Sequence, residues 1–107
     1  VQAVVDGARL TFLVDTGASD VVLSLTDARK LGFNPDTLAY TLLYATANGM
    51  VRGAPVILGE IAIGGIRVTN VAASVNQAPM AGSLLGMSFL GRLSAYEVRN
   101  GSLTLRQ

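Results

Sequence analysis

The sequence predicts a mostly antiparallel all-β fold carrying one or two short helices, and three observations point to it. Four turn-forming dipeptides containing glycine fall between apolar, strand-prone runs. Apolar and polar residues alternate within those runs, and half of the 107 residues are apolar while only 14% are charged. Two-residue hairpin turns need positive φ angles, which Gly adopts freely and Asn or Asp tolerates.

Asp6-Gly7 separates Gln2 to Val5 from Ala8 to Val14, and Asn48-Gly49 separates Leu42 to Ala47 from Met50 to Leu58. Gly64-Gly65 lies between Glu60 to Ile63 and Ile66 to Val75, and Asn100-Gly101 between Ser94 to Arg99 and Ser102 to Arg106. Ile61, Ile63, Ile66 and Val68 can share one face, with Arg67 and Thr69 on the other; Leu103 and Leu105 alternate with Ser102, Thr104 and Arg106. Val71, Ala73 and Val75 sit in the opposite phase, which a bulge or a strand buried on both faces near Asn70 would explain. Ser24-Leu25-Thr26-Asp27 has capping-box spacing before the helix formers Ala28 to Leu31, and Gly32 can end that helix. A second short helix is expected over about Met87 to Leu93, after Gly86.

A chain of this size is expected to form one domain, residues 1–107, on one core. The net charge of +1 offers no basic footprint for nucleic acid. With no cysteine there is no disulfide or thiolate metal site, and with no histidine the usual general base, the triads built on it and histidine-ligated zinc are lost. No metal or cofactor is expected. Hydrolysis by this chain would fall to carboxylates.

The most informative stretch is Leu10 to Leu23, L-T-F-L-V-D-T-G-A-S-D-V-V-L. An apolar strand ends on a carboxylate, Asp15, followed by the hydroxyl of Thr16 and by Gly17, where the backbone can turn sharply; Val21 to Leu23 then resume a strand. Asp15 there is open to two readings: an acid presented to a substrate, or an Asx-turn residue bonding the backbone two positions on. A second element, Ser83-Leu84-Leu85-Gly86-Met87-Ser88-Phe89-Leu90, places glycine between two large apolar residues and a helix.

These two elements, with the Asn48-Gly49 hairpin between them, resemble retropepsin-like aspartic proteases, and the bacterial members more than the compact viral ones. The resemblance implies a small closed barrel and an aspartic endopeptidase acting on a peptide or protein substrate. Its chemistry needs two carboxylates sharing one proton, and the chain has one Asp-Thr-Gly, so a symmetric homodimer is implied. By resemblance, the catalytic residues are Asp15 as shared acid and base, Thr16 bonding across the axis, and Gly17 presenting its carbonyl to the peptide. Substrate binding falls to Ala18, Ser19, Asp20 and Val21, to Asn48 and Gly49 at the tip of a mobile flap, and to Leu84, Leu85 and Gly86. Gly86 would also make room for the Asp-Thr-Gly loop. Tyr44, on the strand rising to the flap, reads as a packing residue that could also hydrogen-bond near the site.

Two other functions fit the residues. A non-catalytic module could hold an extended peptide in the same groove; a monomeric glycosidase or other carboxylate hydrolase would need a second essential Asp or Glu in the chain, and Glu60 and Glu97 sit in alternating strands as solvent-facing residues. The chain begins at Val1 in strand-like sequence, with no signal peptide and no apolar run long enough to span a membrane. It is expected to be a piece of a longer protein, and the bacterial resemblance suggests a membrane anchor outside it, with this domain soluble.

Overall fold

A computed structural model of the chain describes residues 1–46, 49–99 and 102–106. Its strands are β1 (Gln2–Val5), β2 (Ala8–Val14), β3 (Val21–Leu23), β4 (Leu42–Thr46), β5 (Gly49–Ile63), β6 (Ile66–Asn76), β7 (Ser83–Leu85), β8 (Ala95–Arg99) and β9 (Ser102–Arg106). Two helices, α1 (Leu25–Lys30) and α2 (Met87–Leu90), follow β3 and β7. The main sheet runs β1-β2-β7-β3-β6-β5-β4, and β1 also pairs with β5. Six strands therefore close into a barrel, from which β4 and the start of β5 project as a hairpin.

Two of the predicted turns act as expected. Asp6 (φ 47) and Gly7 (φ 86) link the paired residues Val5 and Ala8, and Gly64 (φ 59) begins the turn that links Ile63 to Ile66. Gly49 differs: it pairs with Thr46 and opens β5 instead of forming the turn. Asn48, expected at the flap tip, lies outside the described residues, as do Ala47 and the Asn100-Gly101 turn. β8 and β9 pair only with each other among the described strands.

The phase switch near Asn70 has no inserted residue behind it. Leu58 pairs with Val71 and Glu60 with Thr69, so the two strands stay in step across Gly59 and Asn70. Instead the inward-facing phase changes on both strands at the same level. Asn70 adopts a left-handed φ of 53, and the Asp6 carboxylate accepts from the N–H groups of Gly59 (3.1 Å) and Glu60 (2.9 Å). Leu58 and Ile61 on one strand, and Val71 and Val68 on the other, thereby all face the same core. Beside this change β1 meets β5 at Val5 and Ile61 and shuts the barrel.

Alternation along β1 and β2 sends Ala3, Val5, Leu10 and Phe12 inward to join Leu23, Leu85, Phe89 and Leu90. Ser24 caps α1 by accepting from the Asp27 N–H, and Gly32 (φ 91) ends it, with the Phe33 N–H donating back to the Ala28 carbonyl. The second helix is one turn, Met87–Leu90, shorter than expected, because Gly91 and the bends after it stop the backbone pattern. Six strand pairings are antiparallel, as the hairpin signals predict. The two parallel ones, β2 with β7 and β3 with β6, join segments distant in sequence and flank the loop that follows β2. Among the described residues no helix is long and apolar enough to cross a membrane.

Candidate active site

β2 carries the chain to Asp15 with Phe12 in the core and Leu13 facing out, 70% exposed. Val14 pairs in parallel with Leu85, and the next N–H, that of Asp15, donates to the Leu85 carbonyl at 3.1 Å. The loop then folds on itself: the Ala18 N–H donates to the Asp15 carbonyl at 3.2 Å, and the Gly17 N–H donates to Asp15 Oδ1 at 2.9 Å. This is the Asx turn, and it also fixes how the carboxylate points. The Asx turn is compatible with the other reading of Asp15, since the backbone donor orients an acid that remains half-buried at the chain's surface. Thr16 and Gly17 beside it are exposed.

The loop is clamped from the other side by the start of α2. Gly86 is buried against it so tightly that a Cβ would stand 2.1 Å from the Asp20 carbonyl oxygen and 2.7 Å from that of Ala18. The Met87 N–H donates to the Ala18 carbonyl at 2.8 Å, and Ser88 Oγ accepts from the Val21 N–H (2.9 Å) while donating to the Ala72 carbonyl (2.7 Å). The Asp15 loop therefore hangs between β7 and α2 on main-chain bonds. Ser88 was not singled out by sequence reasoning, since a serine in a short helix is an ordinary surface residue until the fold brings β3 and β6 to it.

A cleft of about 350 Å³ opens beside the loop, lined among others by Asp15, Gly17, Ala18, Ser19 and Asp20. Alternation corrects two of the expected lining residues. Val21 and Leu85 are fully buried in the core; Leu84 lines the cleft, where it was expected, and Val22 faces it in place of Val21. Gly86 supports the loop from beneath without reaching the cleft, and Gly49 is exposed and does not line it. Glu60 lies in a separate groove with Arg67, 3.5 Å away, so it does not join Asp15; the side chain of Glu97 is outside the described residues. Asp20 is the other carboxylate of the cleft among the described residues. A larger groove of about 690 Å³, bounded by Arg9, Leu13, Asp27 and Lys30, shares Met80 and Leu84 with the cleft but does not contain Asp15.

Tyr44 from β4, read from the sequence as a packing residue that could also hydrogen-bond near the site, lines the far wall, and its ring lies over Gly53, where a Cβ would be 2.7 Å from its Cε2. Sequence reasoning missed Asn76, from the end of β6, and Met80, which line that wall with it. Tyr44 Oη, Asn76 Oδ1 and Ser74 Oγ are buried with no hydrogen-bond partner among the described residues. Each unmade bond of this kind costs about 1–3 kcal/mol. The signal for Ser74 and Asn76 in the sequence is slight: polar residues at alternate positions in the apolar stretch that begins at Val71.

Comparison with known proteins agrees with this geometry. Residues 1–92 match the family described as "gag-polyprotein putative aspartyl protease". An uncharacterised protein of Sinorhizobium sp. is 45% identical over 105 residues and one of Rickettsia prowazekii 41% identical over 105, covering 97% and 98% of this chain. The chain spans 45% of the length of each of these relatives. The crystal structure of a retropepsin-like aspartic protease from Rickettsia conorii superposes with a TM-score of 0.86 at 40% identity, covering 98% of this chain and 79% of that one. The EIAV protease in complex with the inhibitor HBY-793 shares the fold at 21% identity, with a TM-score of 0.72 and coverage of 92% and 90%. Asp-Thr-Gly on a clamped loop, the closed barrel and these matches together place the chain in the retropepsin-like aspartic protease family.

Proposed function

We propose that the chain is one half of an aspartic endopeptidase whose two Asp15 carboxylates, one from each copy of a homodimer, activate a water for peptide-bond hydrolysis. The observation that carries this reading is the placement of Asp15: oriented by the Gly17 N–H, braced by β7 and α2, and half-exposed at the mouth of a cleft instead of turned into the core. One acid cannot perform both proton transfers at once, and the other carboxylate of the cleft, Asp20, lies outside the Asp-Thr-Gly turn.

In the proposed dimer the two carboxylates share one proton. The ionised one takes a proton from the water as its oxygen attacks the peptide carbonyl, and the protonated one gives its proton to the carbonyl oxygen. The tetrahedral diol then collapses as a proton passes to the departing nitrogen, leaving an acid and an amine. Thr16, exposed next to Asp15, is assigned the bond across the axis, and the Gly17 carbonyl the peptide backbone. Ala18, Ser19, Asp20 and Leu84, with Val22 in place of Val21, are assigned to the substrate. The β4–β5 hairpin is assigned the role of flap, closing over an extended peptide and excluding water. We also propose that the whole protein is membrane-anchored through a segment outside residues 1–107; more than half of each sequence relative lies outside the match and leaves room for one.

Replacing Asp15 with Asn keeps the shape and the Asx-turn acceptor but removes the proton chemistry. Asp15→Asn is expected to leave the fold intact and to lower peptide cleavage by at least about a thousandfold, in line with loss of an essential acid-base group. Cleavage retained in that variant would refute the reading, whereas unchanged peptide affinity without turnover in the wild type would favour a binding module.

A further inference from the structure

We infer that the cleft beside Asp15 selects peptides carrying a neutral side chain that both donates and accepts hydrogen bonds, a carboxamide foremost, and that Tyr44 and Asn76 read it. The inference rests on the endopeptidase reading and specifies its substrate.

Ala45, Val51, Val22 and Leu84 give this cleft apolar walls, the composition expected of a pocket that binds by burial and selects by a few placed polar groups. The polar groups converge around Gly53. Gly53 pairs with Asn76, and a Cβ there would lie 2.7 Å from Tyr44 Cε2 and 3.5 Å from Ser74 Cβ. Ser74, fully buried, sits two residues before Asn76 on the same face of β6. Two strands, β4 and β6, thus bring a phenol and an amide oxygen to the cleft wall with a hydroxyl buried beside them, none of the three partnered among the described residues.

The inventory of these groups says what would satisfy them. Tyr44 Oη and Ser74 Oγ can each donate and accept, and Asn76 Oδ1 only accepts. Asn76 Nδ2 donates to Met80 Sδ at 3.5 Å, a weak acceptor on an unbranched side chain that is only half-buried and free to repack. A substrate carboxamide entering past Met80 exchanges that N–H···S contact for N–H···O and returns its own N–H to Oδ1, forming the two-bond fork of paired amides. A hydroxyl offers the same polarity through a single atom. A carboxylate finds no Lys or Arg among the described lining residues and faces Asp15 and Asp20. An apolar side chain leaves the orphan groups unmet.

The test uses the wild-type protein and peptides varied at each position around the cleaved bond with the near-isosteric sets Asn/Leu, Gln/Met and Thr/Val, plus Asp and Lys. At one position, kcat/KM for Asn or Gln is expected to exceed that for Leu or Met by about tenfold or more, the discrimination given by a site whose buried polar groups need a partner. The ratio of Asn to Leu should fall toward one in Tyr44→Phe with Asn76→Leu, and should fall partway in Tyr44→Phe alone, which removes a single oxygen and spares the fold. A ratio unchanged in both variants, or a wild-type preference for apolar, Asp or Lys side chains at every position, would overturn the inference while leaving the endopeptidase reading in place. Failure to cleave any peptide would overturn both.

Discussion

Gly86 and Asp20 are in backbone contact: a Cβ at position 86 would lie 2.1 Å from the Asp20 carbonyl oxygen. No real Cβ sits that close to an oxygen, and the obstacle is main chain, which cannot swing aside as a side chain does. The glycine is what allows α2 to clamp the Asp15 loop. Gly86→Ala is therefore expected to lower unfolding stability by at least ~2 kcal/mol, the scale of overpacking a filled interior. It should also abolish cleavage by displacing Asp15, with denaturant midpoints and peptide turnover as the two readouts.

Beneath that loop, Ser83 ties together two ends of the chain. Its Oγ accepts from the Ser24 N–H at 3.0 Å and donates to Asp27 Oδ2 at 2.5 Å, while Ser24 Oγ caps the Asp27 N–H. All three residues are buried. Ser83→Ala strands a donor and a carboxylate oxygen, and about 2 kcal/mol of lost stability is expected. Lys30 is 3.8 Å from the same carboxylate, but its side chain is 57% exposed. Lys30→Ala should cost no more than about 0.5 kcal/mol. Chemical denaturation of the two variants compares them directly.

Asp6 both turns the first hairpin and grips the barrel's closing seam. Its φ of 47 suits Asp or Asn, and its two carboxylate oxygens accept from Gly59 and Glu60. Asp6→Asn keeps the turn and one acceptor, whereas Asp6→Ala loses both. Losses of about 0.5 and 1–2 kcal/mol are expected respectively, scaled to the exposure of these bonds. No loss in either variant would show that the seam contributes nothing through Asp6.

Much of this was legible because local chemistry decided it. Asp6-Gly7 and Gly64-Gly65 specify turns within two residues, Ser24 and Gly32 specify both ends of α1, and Asp15-Thr16-Gly17 announces its loop. Gly86 was legible for the same reason, as a glycine where an apolar strand meets a helix. What escaped was set by distance in the chain. The parallel pairings of β2 with β7 and β3 with β6 have no signature in either partner alone. In strands of three residues, VVL and SLL, the pattern cannot tell which apolar residue faces the core, and Val21 and Leu85 were assigned the wrong side. The joint change of phase at Gly59 and Asn70 meets the carboxylate of Asp6, more than fifty residues from Gly59 in sequence. Tyr44, Ser74 and Asn76 became a group only when β5 placed Gly53 between them.

The central claim, that catalysis needs an Asp15 from each of two chains, is tested most directly by mixing. Wild-type protein is incubated with a tenfold excess of Asp15→Asn chain until subunits have exchanged, as followed by native mass spectrometry of an isotope-labelled wild type, and peptide cleavage is then measured. If the two acids must come from a symmetric pair, activity should fall to roughly a tenth, because nearly every wild-type chain is paired with an inactive one. Activity unchanged after complete exchange would mean that one chain holds a whole active site, and would contradict the account.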